Sequence, residues 1–212
     1  MHGKTTRQKT TLGLVLVMFV LAVEPAFAHH IMGGRTPATF GEGLLSGLGH
    51  PVIGLDHFAA VVAVGCLAAA HRAAAALAIG FVLAMMAGVA LHVQGATVPA
   101  AEIIVALSVI LLGALMLRRH DMAVGAALTL FVLVGLVHGY ALGESIYGAE
   151  ATPLYAYLLG LAVIQCAIAL GATALTRMAA QRHAELGLVR LIGAGIAGIG
   201  LAVLAQQIIP GA

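Results

Sequence analysis

Two short runs hold most of the polar chemistry in this chain: His50-Pro51-Val52-Ile53-Gly54-Leu55-Asp56-His57 and His138-Gly139-Tyr140-Ala141-Leu142-Gly143-Glu144. Each sets a carboxylate six residues after a histidine. Imidazole and carboxylate together suit borderline divalent ions such as Ni, Co, Zn or Fe, whereas Ca and Mg prefer oxygen alone and Cu(I) prefers sulfur. His50 and His57 are seven residues apart, on nearly the same face of an ideal helix but about 10 Å apart along its axis. One ion reaches both only if the helix is broken. Pro51 and Gly54 lie between them, and proline removes an intrahelical hydrogen bond, so the sequence predicts a break or an unwound turn there. Broken helices at membrane depth are where transporters build ion sites; without the break the two histidines would be successive stations on a path. His92, Glu102 and the pair His29-His30 are further candidates.

The elements that must position these residues are membrane helices. Of 212 residues, 62% are hydrophobic and only 8% charged, against about 45–50% and about 25% in ordinary soluble domains. Ten basic and eight acidic side chains cannot coat a chain of this length, so its solvent is lipid. The net charge of +2 and the absence of Trp speak against a nucleic-acid partner. Cys66 and Cys166 lie inside apolar runs, where a thiol is ordinarily a small buried hydrophobe, and suggest neither a disulfide framework nor a thiolate cluster.

Residues 1–28 combine a basic start (Lys4, Arg7, Lys9), an apolar run and the ending Ala26-Phe27-Ala28. They predict a cleaved signal peptide, which would expose His29-His30 as the mature amino terminus. Residues 29–212 then form one transmembrane domain, with apolar stretches at about 44–70, 73–93, 99–117, 122–143, 154–176 and 188–209, each near the ~20 residues that cross a bilayer. Long unbroken runs without polar–apolar alternation are helices, so the expected fold is an all-α integral membrane protein, a six-helix transmembrane bundle. The stretch Gly193-x-Gly195-x-x-Gly198-x-Gly200 has no strand before it and no acid at the ribose distance, and is predicted to pack helices rather than hold a dinucleotide.

Lys and Arg are retained on the cytoplasmic side. Connections holding Arg72, Arg118-Arg119, and Arg177, Arg182 and Arg190 alternate with connections near 94–98 and 144–152 that hold no basic residue. The expected topology is therefore a multi-pass bacterial inner-membrane protein with both mature termini periplasmic. In that orientation His50, His92, Glu102, His138 and Glu144 fall in the outer half and Asp56 and His57 near the middle, a funnel open to the periplasm. Ionisable residues inside a span cost about 2.5–3.5 kcal/mol each on insertion scales and need a reason. For any single histidine a hydrogen bond across the bundle is reason enough; for His50, Asp56, His57 and His138 together a shared site explains more. His92 and Glu102 lie close to helix ends, where the interface accommodates them. His71, His120 and His183 read as solvated loop residues, and Met85 and Met86 as apolar filler. Ser108, Thr129, Gln165 and Cys166 are the scattered polar groups of the inner half.

The two histidine runs resemble the HupE/UreJ family of hydrogenase and urease accessory membrane proteins, and the likeness covers the whole mature region. The first hallmark, a histidine followed after five residues by Asp-His, is met by His50, Asp56 and His57. The second resembles Phe-His-Gly-x-Ala-x-Gly-x-Glu; here Val137 stands in the aromatic position and Glu144 follows directly on Gly143. The resemblance implies a permease for nickel, with cobalt as the neighbouring choice, that supplies hydrogenase or urease maturation proteins. On that reading the ion is substrate and no tightly bound cofactor is expected. His29-His30 and the outer loops would collect it, His50 and His138 receive it, and Asp56-His57 pass it inward, with His92 and Glu144 as further ligands. Ligating imidazoles must be neutral and carboxylates ionised, so capture should weaken as pH falls through the imidazole range.

Two other readings compete. A non-transporting accessory protein would bind metal and dock a metallochaperone through its arginine loops. An intramembrane hydrolase would need H-E-x-x-H, which is absent, or a serine such as Ser46 paired with a histidine, and the sequence around Ser46 matches such a site poorly. An enzyme is not expected. No P-loop motif is present for direct drive by ATP.

Overall fold

The computed structural model describes residues 35–118, 122–181 and 185–209. The predicted signal peptide, His29 and His30 lie outside the described residues. Among those described there are seven α-helices and no strand: α1 (Phe40–Ile53), α2 (Leu55–Ala68), α3 (Ala74–Val93), α4 (Ala101–Arg118), α5 (Val124–Leu142), α6 (Ala151–Gln181) and α7 (Glu185–Ile208), with a short 3-10 helix at Gly143–Ile146 after α5. The helices α3 to α7 supply five stretches long and apolar enough to cross a membrane, the third of them running on through the 3-10 helix, and α1 with α2 make a sixth if the pair is one broken span. The expected helical bundle is the observed fold.

The break falls where the sequence places it. Helix α1 starts on a capping box: Thr39 Oγ1 accepts the Glu42 N–H at 3.2 Å, while the Glu42 carboxylate accepts the Thr39 N–H at 3.2 Å. Pro51 has no N–H to return to the preceding turn, and Gly54 is extended at φ −71°, ψ 98°. Helix α2 restarts at Leu55, bent by 77° from α1.

Glycines bring the helices into backbone contact. A methyl group at Gly47 would overlap the Tyr157 carbonyl of α6, and one at Gly139 would overlap the Met85 carbonyl of α3. This is how helices pack in lipid, where burial of apolar surface gives no driving force between them. The same close approaches fix the relative sense of the helices they join. Gly43 meets Pro153 and Gly65 meets Ala169, so α1 and α2 run with α6; Gly135 meets Phe81 and Gly143 meets His92, so α3 runs with α5. Gly113 meets Gly193 and Ala197 while Gly200 meets Ala106, so α4 runs against α7. These senses agree with spans crossing alternately, the odd ones one way and the even ones the other. Gly193 and Gly200 thus have the packing role expected of them, whereas Gly198 faces open space.

Phe81, Met85, Leu112, Phe131 and Tyr157 fill the interior. Leu83, Leu133 and Leu175 are 60%, 58% and 67% exposed on the outside, a surface that suits acyl chains and not water. At 31 residues and ~1.5 Å each, α6 is about 46 Å long, well beyond a hydrocarbon core of about 30 Å. Its Arg177 end is tied to the turn after α2: Arg177 Nε donates to the Ala69 carbonyl at 3.1 Å and Nη2 to the His71 carbonyl at 2.6 Å.

Candidate metal site

The bend at Gly54 brings together side chains that a straight helix would keep apart. The His50 and His57 rings lie 6.1 Å apart, edge to face, and the His57 and His138 rings 5.1 Å apart in the same way. All three are buried, His138 completely. Asp56 is also buried, in the first turn of α2, where its Oδ1 accepts the His57 backbone N–H at 2.8 Å and its charge faces the positive end of the helix.

His57 Nδ1 and His138 Nδ1 are 3.0 Å apart and share one proton. The hydrogen-bond network assigns the rest. Ser108 Oγ donates to the Val105 carbonyl at 2.7 Å, so it accepts from His138 Nε2–H at 2.8 Å. A neutral His138 then presents its Nδ1 lone pair to His57, and His57 Nδ1–H donates to it. First-row ions bind imidazole nitrogen at about 2.0–2.1 Å, which puts two neighbouring ligand nitrogens about 2.9–3.4 Å apart. The His57–His138 separation lies within that range, so an ion can replace the shared proton with little movement. Among the described residues no three His, Cys, Asp or Glu side chains already surround one point as a metal ion requires.

Gly54 makes room for the pair. A Cβ there would lie 2.9 Å from His57 Cδ2 and 3.3 Å from Asp56 Oδ1. Gly54→Ala is therefore expected to push the His57 ring off His138 and weaken metal binding by about 10–100-fold, the usual effect of disturbing a ligand's support. Calorimetric titration of the solubilised protein with Ni²⁺ checks this; an unchanged affinity would show that the tight packing at Gly54 has no bearing on the pair.

The remaining sequence candidates are placed differently. His92 stands at the end of α3, half-buried, its Nδ1–H donating to the Tyr140 carbonyl at 2.8 Å and its ring between Tyr140 at 4.6 Å and Tyr147 at 5.6 Å. That bond leaves Nε2 as the acceptor nitrogen, an orientation typical of ligating histidines. Tyr140 in turn holds the α3–α4 loop, its hydroxyl accepting the Val98 N–H and donating to the Ala96 carbonyl, each at 3.0 Å. Glu144 is exposed on the 3-10 helix and does not join the buried histidines.

Two residues matter more than their sequence context suggested. Ser108, read as a stray polar group of the inner half, touches His138 directly. Glu102, read as a helix-end carboxylate, is half-buried, with Asp56 and Glu144 as the charged groups near enough to act on it. Neither has a local motif; only the rotation of α4 against α2 and α5 reveals them.

A broken intramembrane helix whose His-Asp-His turn meets a histidine from a second helix defines a polytopic membrane protein with a candidate cation site inside its bundle. The chain belongs to the HupE/UreJ family: the sequence profile described as HupE / UreJ protein matches residues 16–203. It is 31% identical over 185 residues to the protein named Protein HupE from Rhizobium leguminosarum bv. viciae, covering 85% of this chain and 91% of that one. No solved structure matches it.

Proposed function

We propose that this protein is a permease, not an enzyme, that imports a divalent first-row transition-metal ion, nickel or its neighbour cobalt, across the bacterial inner membrane for the maturation of hydrogenase or urease. The observation that carries the reading is the Nδ1–Nδ1 contact of His57 and His138 at the Gly54 break. Two imidazole nitrogens at ligand spacing, with a carboxylate next to one of them, form a donor set for such an ion and a poor one for Ca or Mg. The positive-inside rule puts the arginine-bearing connections in the cytoplasm and the mature termini in the periplasm. His92, on the opposite rim from Arg177, and the pair His29-His30 then meet the ion first, with Glu144 and Glu102 drawing it toward Asp56.

A metal-binding protein that docks a chaperone through its arginines is the competing reading. Arg177 is engaged in holding the end of α2, which removes it from such a docking face. Vesicles containing the purified protein and a metal-sensitive dye separate the two, with Ni²⁺, Co²⁺ and Zn²⁺ supplied in parallel. Entry of nickel or cobalt above protein-free vesicles is expected. Binding to the protein without entry would overturn transport in favour of the accessory role.

A further inference from the structure

The Gln165 carboxamide is fully buried within the bundle, and neither its Oε1 nor its Nε2 has a hydrogen-bond partner among the described residues. Leaving such a group unpaired keeps its full desolvation penalty, which a leucine of similar size would avoid. Its position along α6 fixes its depth. Tyr157, Leu161, Gln165, Ala169 and Thr173 recur every four residues along one buried face of α6. Tyr157 and Leu161 lie against Gly47, before the break; Ala169 lies against Gly65, beyond it. Thr173 donates to the Gly65 and Ala169 carbonyls, both at 2.9 Å. Gln165 therefore lies at the level of the broken segment that holds His50, Asp56 and His57.

Resting on the permease reading, we infer that the Gln165 side-chain oxygen is a further ligand for the travelling cation, supplied by α6 at the level of the broken segment. A neutral amide oxygen is a weaker donor than imidazole or carboxylate. That suits a site the ion must leave: it compensates part of the lost coordination without trapping the charge. Beyond Gln165 on this face the next polar group, Thr173, is already committed to backbone carbonyls.

The test uses the full-length protein in dye-loaded vesicles, with Ni²⁺ alone as the probe, and compares wild type with Gln165→Leu and Gln165→Glu. Gln165→Leu is expected to slow nickel entry by about tenfold or more while its thermal midpoint in detergent stays equal or rises, because a buried unpaired amide has been removed. A purely structural glutamine would give the opposite pattern. Gln165→Glu is expected to bind Ni²⁺ more tightly by calorimetry and to release it more slowly. Nickel entry through Gln165→Leu within twofold of wild type overturns the ligand role and leaves the permease reading intact. Absence of entry through the wild type overturns the permease reading itself. Should Gln165→Leu fail to fold, Gln165→Glu decides: affinity and entry rate both unchanged from wild type overturn the inference.

Discussion

A His138→Ala variant is expected to lose about a hundredfold or more of its nickel accumulation at limiting external metal. His138 is completely buried, its Nε2 is held by Ser108 and its Nδ1 lone pair faces His57. Removing the ring deletes one of the two nitrogens at ligand spacing. Ser108→Ala should act in the same direction but more weakly, by about tenfold, because it releases the ring's orientation without removing a donor. Accumulation of radioactive nickel by cells expressing each variant at matched membrane levels measures both. His71→Ala, at the arginine-bearing end of the bundle, serves as the control and should behave as wild type. Undiminished accumulation by His138→Ala would remove the basis of the proposed site.

Gly139→Ala is expected to damage the protein as severely, though it changes no polar group. The added methyl would overlap the Met85 carbonyl, which is backbone and cannot swing aside, so α3 and α5 must separate. Overpacking of this kind costs about 1–3 kcal/mol. The displacement occurs one residue from His138, where a shift of about 1 Å can cost a factor of about a hundred in activity. Thermal unfolding in detergent and nickel entry into vesicles should both fall. Gly198→Ala gives the contrast: nothing lies near a methyl group there, and alanine is the better helix former by about 0.8–1 kcal/mol. Its midpoint should hold or rise. Equal stability of the two variants would mean that the α3–α5 contact is looser than the structure has it.

The spans were legible because lipid forces each of them to be long, apolar and helical. The bend was legible because Pro51 and Gly54 state it locally. The convergence of His50, His57 and His138 was legible from cost alone, since expensive groups in a nearly charge-free bundle need one another. What spacing could not convey is how far each helix is rotated about its own axis. His138 and Glu144 share the six-residue spacing of His50 and Asp56, yet only His138 turns into the bundle, because α5 gives way to a 3-10 helix at Gly143 and carries Glu144 to the surface. Ser108 and Glu102 were undervalued for the same reason. Each is an ordinary residue of α4 until that helix is docked beside α2 and α5.

The broken span is tied to α6 on both sides of its elbow: by close glycine contacts at Gly43 and Gly47, and by the Thr173 and Arg177 bonds to the carbonyls of Gly65, Ala69 and His71. A rod anchored at both ends cannot swing as a whole. Any give it has is confined to the few residues around Gly54, so traffic past the histidines calls for a local flexing of one joint while the surrounding frame stands still.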